Sequence, residues 1–363
     1  MPTKQPPGDP LADIVFVKLP PSLRDRLGAF IDPQIPHPFE SKNTSEITLE
    51  AMLAGMLRIL IYQPQHEHAL YYSQLVKKLR PNIKEEFTQA GMIKAGQKDF
   101  PIAIELFSAL KALFPDCPLT RLNLALVYHD AAINTPSKQE RQFEAYCEAA
   151  FKAYREALEA PEVLPETHLN YGYFLLFLEN YEKALAHFEY YLKHAREETN
   201  KAKVEKLVNN LTEILSQNLL FQEAFDYISL GQEKRGIAKA RELLKKNPEF
   251  WNAWFLLGWG LRRLARYAEA KEAFLKALSL TEPKPDLLNE LAITHLELGE
   301  LEASYQRLNQ ALKLEPANTK IISNLGIVCL KRGQVEEAKV FFKTVLEYEP
   351  TNPLAEQFLK ELS

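Results

Sequence analysis

The stretch "WFLLGWGLRRLARYAEAKEAF", Trp254 to Phe274, decides the fold of this chain. Trp254, Leu257, Gly258 and Leu261 fall at helical spacing and share one face. Ala270, Phe274 and, just beyond, Ala277 make the same pattern on a second helix. Gly258, Ala270 and Ala277 are small, so two helices can approach closely there, and Phe274 fills the space between them. Phe255 and Trp259 are left over. They form a second apolar stripe where a free helix would present polar residues.

The pattern recurs. Gly258, Ala292 and Gly326 stand at an even step of 34 residues, and the same step links Phe274, Leu308 and Phe342, then Ala277, Ala311 and Val345. Pro316 and Pro350 close two successive units and stop the second helix, since proline cannot continue its hydrogen bonds. Gly299 and Gly333 suit the C-terminal end of the first helix. A fixed period of this length marks a stacked array. In order, Trp254, Leu257, Gly258, Tyr267, Ala270, Phe274 and Ala277 match the repeat signature, and the chain resembles the tetratricopeptide-repeat family. Units start at 251, 285 and 319, with weaker ones at 217, 165, 118, 84 and, faintly, 50. The resemblance covers about residues 50 to 363. It implies an all-α, right-handed superhelical solenoid of antiparallel helix pairs, ended by a C-terminal capping helix over 353–363.

Two irregularities divide the array. Between Ala125 and Ala150 lie 13 residues more than between Gly258 and Ala270, the insertion near 131–146. Ser137 with Glu140 reads as a capping box there, so both helices of this unit are expected to be overlong. Between starts 165 and 217 lie 18 residues too many. Val204, Leu207, Val208, Leu211 and Leu215 keep helical register in that segment, which fits an extra helix over 199–216 or one long helix. The expected organisation is a Pro-rich extension over 1–44, partly disordered or docked on the array, with the first helix starting at Asn43 to Glu46. Repeats over 45–198, the segment 199–216, repeats over 217–352 and the cap follow.

Composition excludes several function classes. Of 363 residues, 46% are hydrophobic and 25% charged, and the net charge of −4 offers no basic excess for nucleic acid or an anionic membrane. The longest apolar runs are too short to span a bilayer, and the N-terminus shows no signal-peptide run. Cys117, Cys147 and Cys329 form no paired motif. A cytoplasmic protein without cofactor or metal is expected. No nucleotide loop, nucleophile elbow or zinc-protease motif occurs. His66, Glu67 and His68 read as an exposed polar helix start, because neighbours two apart do not face each other on a helix. His187 and His194 read as ordinary surface or groove residues.

In the family this chain resembles, the second stripe of each first helix, positions 5, 9 and 12, faces the concave groove where partners bind. Here it reads Leu122 and Leu126, Leu169 and Tyr173, Phe221 and Phe225, then Phe255 and Trp259, with Leu176 and Phe177 at the next turn. Polarity returns with Arg262, Arg263 and Asn289. Helical apolar stripes are often internal packing, which competes as an explanation for any one of these residues. A ladder of this extent fits a partner protein's apolar or amphipathic segment. Other readings are a groove filled by this chain's own segment around Ile14 to Leu19 or by another copy, and a regulatory subunit of an enzyme complex. No unit offers the Lys and Asn that the family's carboxylate clamp requires. The expectation is a non-catalytic interaction scaffold.

Overall fold

A computed structural model describes residues 10–17, 34–38, 48–136, 138–196 and 200–362. The fold is all-α and tetratricopeptide-like, with one small hairpin ahead of 17 described helices. The chain divides into two compact units, Met1–Val208 and Asn209–Ser363.

The first unit opens with strands β1 (Ile14–Val17) and β2 (Ile35–Pro38), paired antiparallel with Ile14 opposite Pro38 and Val17 opposite Ile35. Helix α1 (Leu49–Tyr62) follows, its first turn capped by the Thr48 hydroxyl, which accepts from the Ala51 amide. The helix start expected at Asn43 to Glu46 lies outside the described residues. The hairpin rests on α1. Gly55 permits it: a β-carbon there would stand 2.2 Å from the Pro36 carbonyl oxygen. Ile35 enters the core beside Met52, Met56 and Ile59. Arg58 donates to both carboxylate oxygens of Asp13, each at 2.8 Å, and to the Pro10 carbonyl. The segment considered as a filler of the groove, from Ile14 to Val17, is instead held at α1; Lys18 and Leu19 lie outside the described residues.

Helix α2 (Ala69–Leu79) completes the first pair. This pair departs from the expected repeat at 50: α1 and α2 pack onto α4 (Phe100–Leu113), the second helix of the next pair, rather than stacking in the regular order. The regular order starts with α3 (Ile83–Gly96) and α4, and continues with α5 (Pro118–Ile133), α6 (Glu140–Leu158), α7 (Pro165–Phe177) and α8 (Tyr181–His194). Prolines at the first turn of α5 and α7 lose no helical hydrogen bond there. Helices α5 and α6 are overlong, at 16 and 19 residues. Ser137 lies outside the described residues, and α6 begins with Gln139 at its cap and no side-chain cap bond.

Residues Lys201–Ser229 form one 29-residue helix, α9, and the division between the units falls within it. In the second unit follow α10 (Glu233–Lys246), α11 (Trp251–Arg263), α12 (Tyr267–Ser279), α13 (Pro285–Glu297), α14 (Leu301–Leu314), α15 (Thr319–Lys331), α16 (Val335–Tyr348) and α17 (Pro353–Glu361). Each second helix packs on its own first helix and on the first helix of the next pair, with Gly236 of α10 set against Ile228 of α9 in the first of these pairs. Phe274 and Phe342 are wholly buried between their helices, and burying a ring of that size stabilises by about 2–3 kcal/mol.

One turn geometry joins the two helices of the regular pairs other than α5 and α6. Lys98, Glu179, Gly231, Ala265, Gly299 and Gly333 occupy the same repeat position, all with φ between 57° and 78°. The next amide then reaches back to a carbonyl near the helix end, as Arg266 does to Leu261 at 2.9 Å and Glu300 to His295 at 2.9 Å.

Candidate functional site

In the second unit, Phe221 and Phe225 lie on α9, and Phe255 and Trp259 on α11. Phe225 is 42% exposed and its ring lies 5.6 Å from that of half-buried Trp259. Phe221 packs beside Phe250 at 6.1 Å, and Phe255 beside Phe274 at 5.9 Å. Phe221, Phe255 and Trp259 are all partly buried against the core, and Phe225, beside Trp259, reaches the surface, so that the two rings make an aromatic platform. The Arg263 guanidinium sits 5.8 Å from the Trp259 ring centre.

The three polar residues expected to receive a partner already have partners within the unit. Arg262 pairs with Glu290 at 2.6 Å, Arg263 with Glu233 at 2.9 Å, and Asn289 accepts from Asn324 at 2.7 Å. Burial raises the Glu290 carboxyl above its ordinary range, against the lowering pull of Arg262. Arg262 thereby ties α11 to α13, and Asn289 ties α13 to α15. Arg263 bonds Glu233 while keeping a cation over Trp259.

In the first unit the ladder is mostly core. Leu122 and Leu169 are only 4% and 8% exposed, covered by neighbouring helices, and are not surface anchors. Leu126, Tyr173 and Leu176 are half-buried. Tyr173 packs against Phe188 at 5.1 Å. Phe177, 38% exposed, reaches the surface beside Phe143 of α6 at 6.1 Å.

Residues 221–352 match the family model described as "Psidin, N-terminal TPR repeats region". This region is a tetratricopeptide-repeat array. A 77-residue stretch is 40% identical to the human protein O-mannosyl-transferase TMTC3, covering 21% of this chain and 8% of that protein's length. Among solved structures, MamA is similar with a TM-score of 0.35 and 16% identity, over 51% of this chain and 92% of that one. The thermophilic tetratricopeptide protein TTC0263 of Thermus thermophilus gives 0.37 and 20%, over 55% and 98%. The first tetratricopeptide domain of Spaghetti (RPAP3), solved bound to an HSP90 peptide, gives 0.30 and 25%, over 31% and 89%.

Phe225 and Trp259 hold the same position in consecutive tetratricopeptide units, which is why their rings meet. Outside that array, a histidine cluster on α7 and α8 escaped the sequence reading. His168 and His187 approach Nδ1 to Nδ1 at 2.9 Å, and Tyr190 stacks on His168 at 3.7 Å and on His194 at 3.9 Å. Burial, then the neighbouring histidines, pushes His168 down to about 4, and burial lowers His187. His187 and His194 sit seven apart on one helix, a visible signal; His168 joins them only through the helix pairing. His129, which is buried, meets the Tyr154 hydroxyl at 3.1 Å. His66 stacks on Phe16 of β1 at 5.8 Å, a contact with the hairpin. Among the described residues no three His, Cys, Asp or Glu side chains group as a metal site, and no helix is long and apolar enough to cross a membrane.

Proposed function

We propose that this protein is a non-catalytic interaction scaffold that holds an apolar or amphipathic segment of a partner protein, acting in the cytoplasm. The observation that carries the reading is the Phe225–Trp259 platform with Arg263 at its edge. Large, rigid aromatic side chains gain contact area with little loss of conformational freedom, and arginine beside them can pair with a partner's carboxylate. An amphipathic helix supplies both in register, an apolar side chain for the platform and an acidic one a turn away. In the first unit, taken by itself, Phe177 is exposed and Leu126, Tyr173 and Leu176 are half-buried.

The test is a pull-down with the full chain, comparing the native protein with Phe225→Ser and Trp259→Ser. Both variants should lose the same captured proteins while keeping helical content and melting temperature within a few degrees. Capture that persists in both folded variants would overturn the reading.

A further inference from the structure

The first helix pair leaves the regular stack, and that departure opens a cleft within the first unit. The cleft encloses about 730 Å³, a volume typical of small-ligand sites. Side chains of α1, α2, α4, α5 and α6 line it. Leu60 and Leu124 are buried in its wall, and Ile61, Pro64, Leu70 and Pro115 give it an open apolar surface. Leu70 is 74% exposed.

Charge is unevenly spent around that surface. Lys77, Lys111 and Lys152 contribute three ammonium groups, and Asp116 and Glu156 two carboxylates. Lys111 is committed to Glu156. Lys77 is half-buried and leans over the Phe114 ring at 4.9 Å. Among the described residues neither Lys77 nor Lys152 makes an ion pair. Asp116 is exposed. Two cations without carboxylate partners thus border an apolar surface that includes an uncovered leucine.

We propose that this cleft binds a single-chain aliphatic anion. The hydrocarbon chain covers Ile61, Pro64, Leu70 and Pro115, and Lys77 and Lys152 hold the anionic head with charge-assisted hydrogen bonds. Burying a chain on these side chains removes apolar surface of both ligand and protein from water. The site is separate in sequence from the aromatic platform and independent of its role.

The probe is decanoate, titrated calorimetrically into the full chain below its micelle concentration, with decanol and decyltrimethylammonium as controls. Decyl phosphate, run alongside, tells a carboxylate head from a phosphate one. Decanoate or decyl phosphate should bind saturably, at least about tenfold more tightly than decanol. The doubly substituted Lys77→Gln, Lys152→Gln protein should fall to the decanol level. Leu70→Asp, a change at an exposed position that leaves the core intact, should weaken binding by a similar factor. Trp259→Ser should bind as the native chain does. Absence of saturable binding, equal binding of decanol and the anions, or unchanged binding by the lysine double variant would each overturn the proposal.

Discussion

The ring of Phe274 occupies the place a side chain would take at Gly258: a β-carbon built there would stand 2.7 Å from ring carbons. The same relation joins Gly91 to Phe107, Gly172 to Phe188 and Gly326 to Phe342. Since Phe274 is wholly buried, its ring has nowhere to move. Gly258→Val should therefore destabilise by about 2–3 kcal/mol through overpacking. Gly96, also helical, has open space where a β-carbon would stand, with nothing within 4 Å, and Gly96→Ala should gain roughly 0.5 kcal/mol from helix propensity. Urea denaturation of the two variants should move the midpoint in opposite directions.

Ala265 carries φ of 58° in a turn where Gly231, Gly299 and Gly333 do the same work. A β-carbon in that region costs about 1–2 kcal/mol, and glycine's extra freedom in the unfolded chain takes back part of the relief. Ala265→Gly should stabilise by roughly 0.5–1 kcal/mol, and Gly299→Ala should destabilise by about as much. Thermal melts of both proteins check this; a fall in melting temperature for Ala265→Gly would count against it.

His129 is 7% exposed, and burial pushes its pKa from 6.5 down to about 4. Between those values the unfolded chain binds the extra proton. Stability is therefore full above about pH 6.5 and falls as the pH drops towards 4. The single-site loss is on the order of 3 kcal/mol. His168, also lowered to about 4, and His187 add to the loss in the same direction. His129→Gln keeps a partner for the Tyr154 hydroxyl and should flatten the pH profile of the denaturation midpoint.

The N-terminal hairpin packs Ile35 into the core of α1 and is further held there by Arg58 with Asp13 and by the close approach of Gly55 to Pro36. Arg58 holds the Asp13 carboxyl below the usual carboxylate range. Gly55→Ala should push β2 off the helix. Hydrogen exchange at the β1 and β2 amides should then speed up severalfold, while α7 and α8 keep their protection. Arg58→Met should give a smaller change of the same kind, since a surface ion pair contributes little.

The repeat is legible in the sequence because its spacing is a consequence of packing: Gly258, Phe274 and Ala277 recur wherever the same two helices meet. The turn is half legible. Gly299 and Gly333 announce it, but Lys98, Glu179 and Ala265 adopt the same backbone with side chains that give no such signal. The binding face is legible only as a stripe. Position 5 reads alike in Leu122 and Phe255, yet whether it is covered depends on the neighbouring helices, and Leu122 is sealed in. Arg262 reads as free because Glu290, its partner, lies 28 residues on in another repeat. The first pair misleads most. Ala69 and Pro81 fit the repeat spacing, but α1 packs on α4, a choice made by tertiary contact rather than by local pattern.

In the second unit the joint between α12 and α13 is built as the joint between α14 and α15 is. Residues 285–318 are therefore a removable segment: cut out, they leave Lys284 leading into Thr319, with Ile321 and Leu325 meeting the surface of α12 that Leu287 and Leu291 had covered. A gene for such a chain can shrink or grow by whole multiples of one length and still encode a folded protein, so the size of the molecule is far less constrained than the geometry of any single joint.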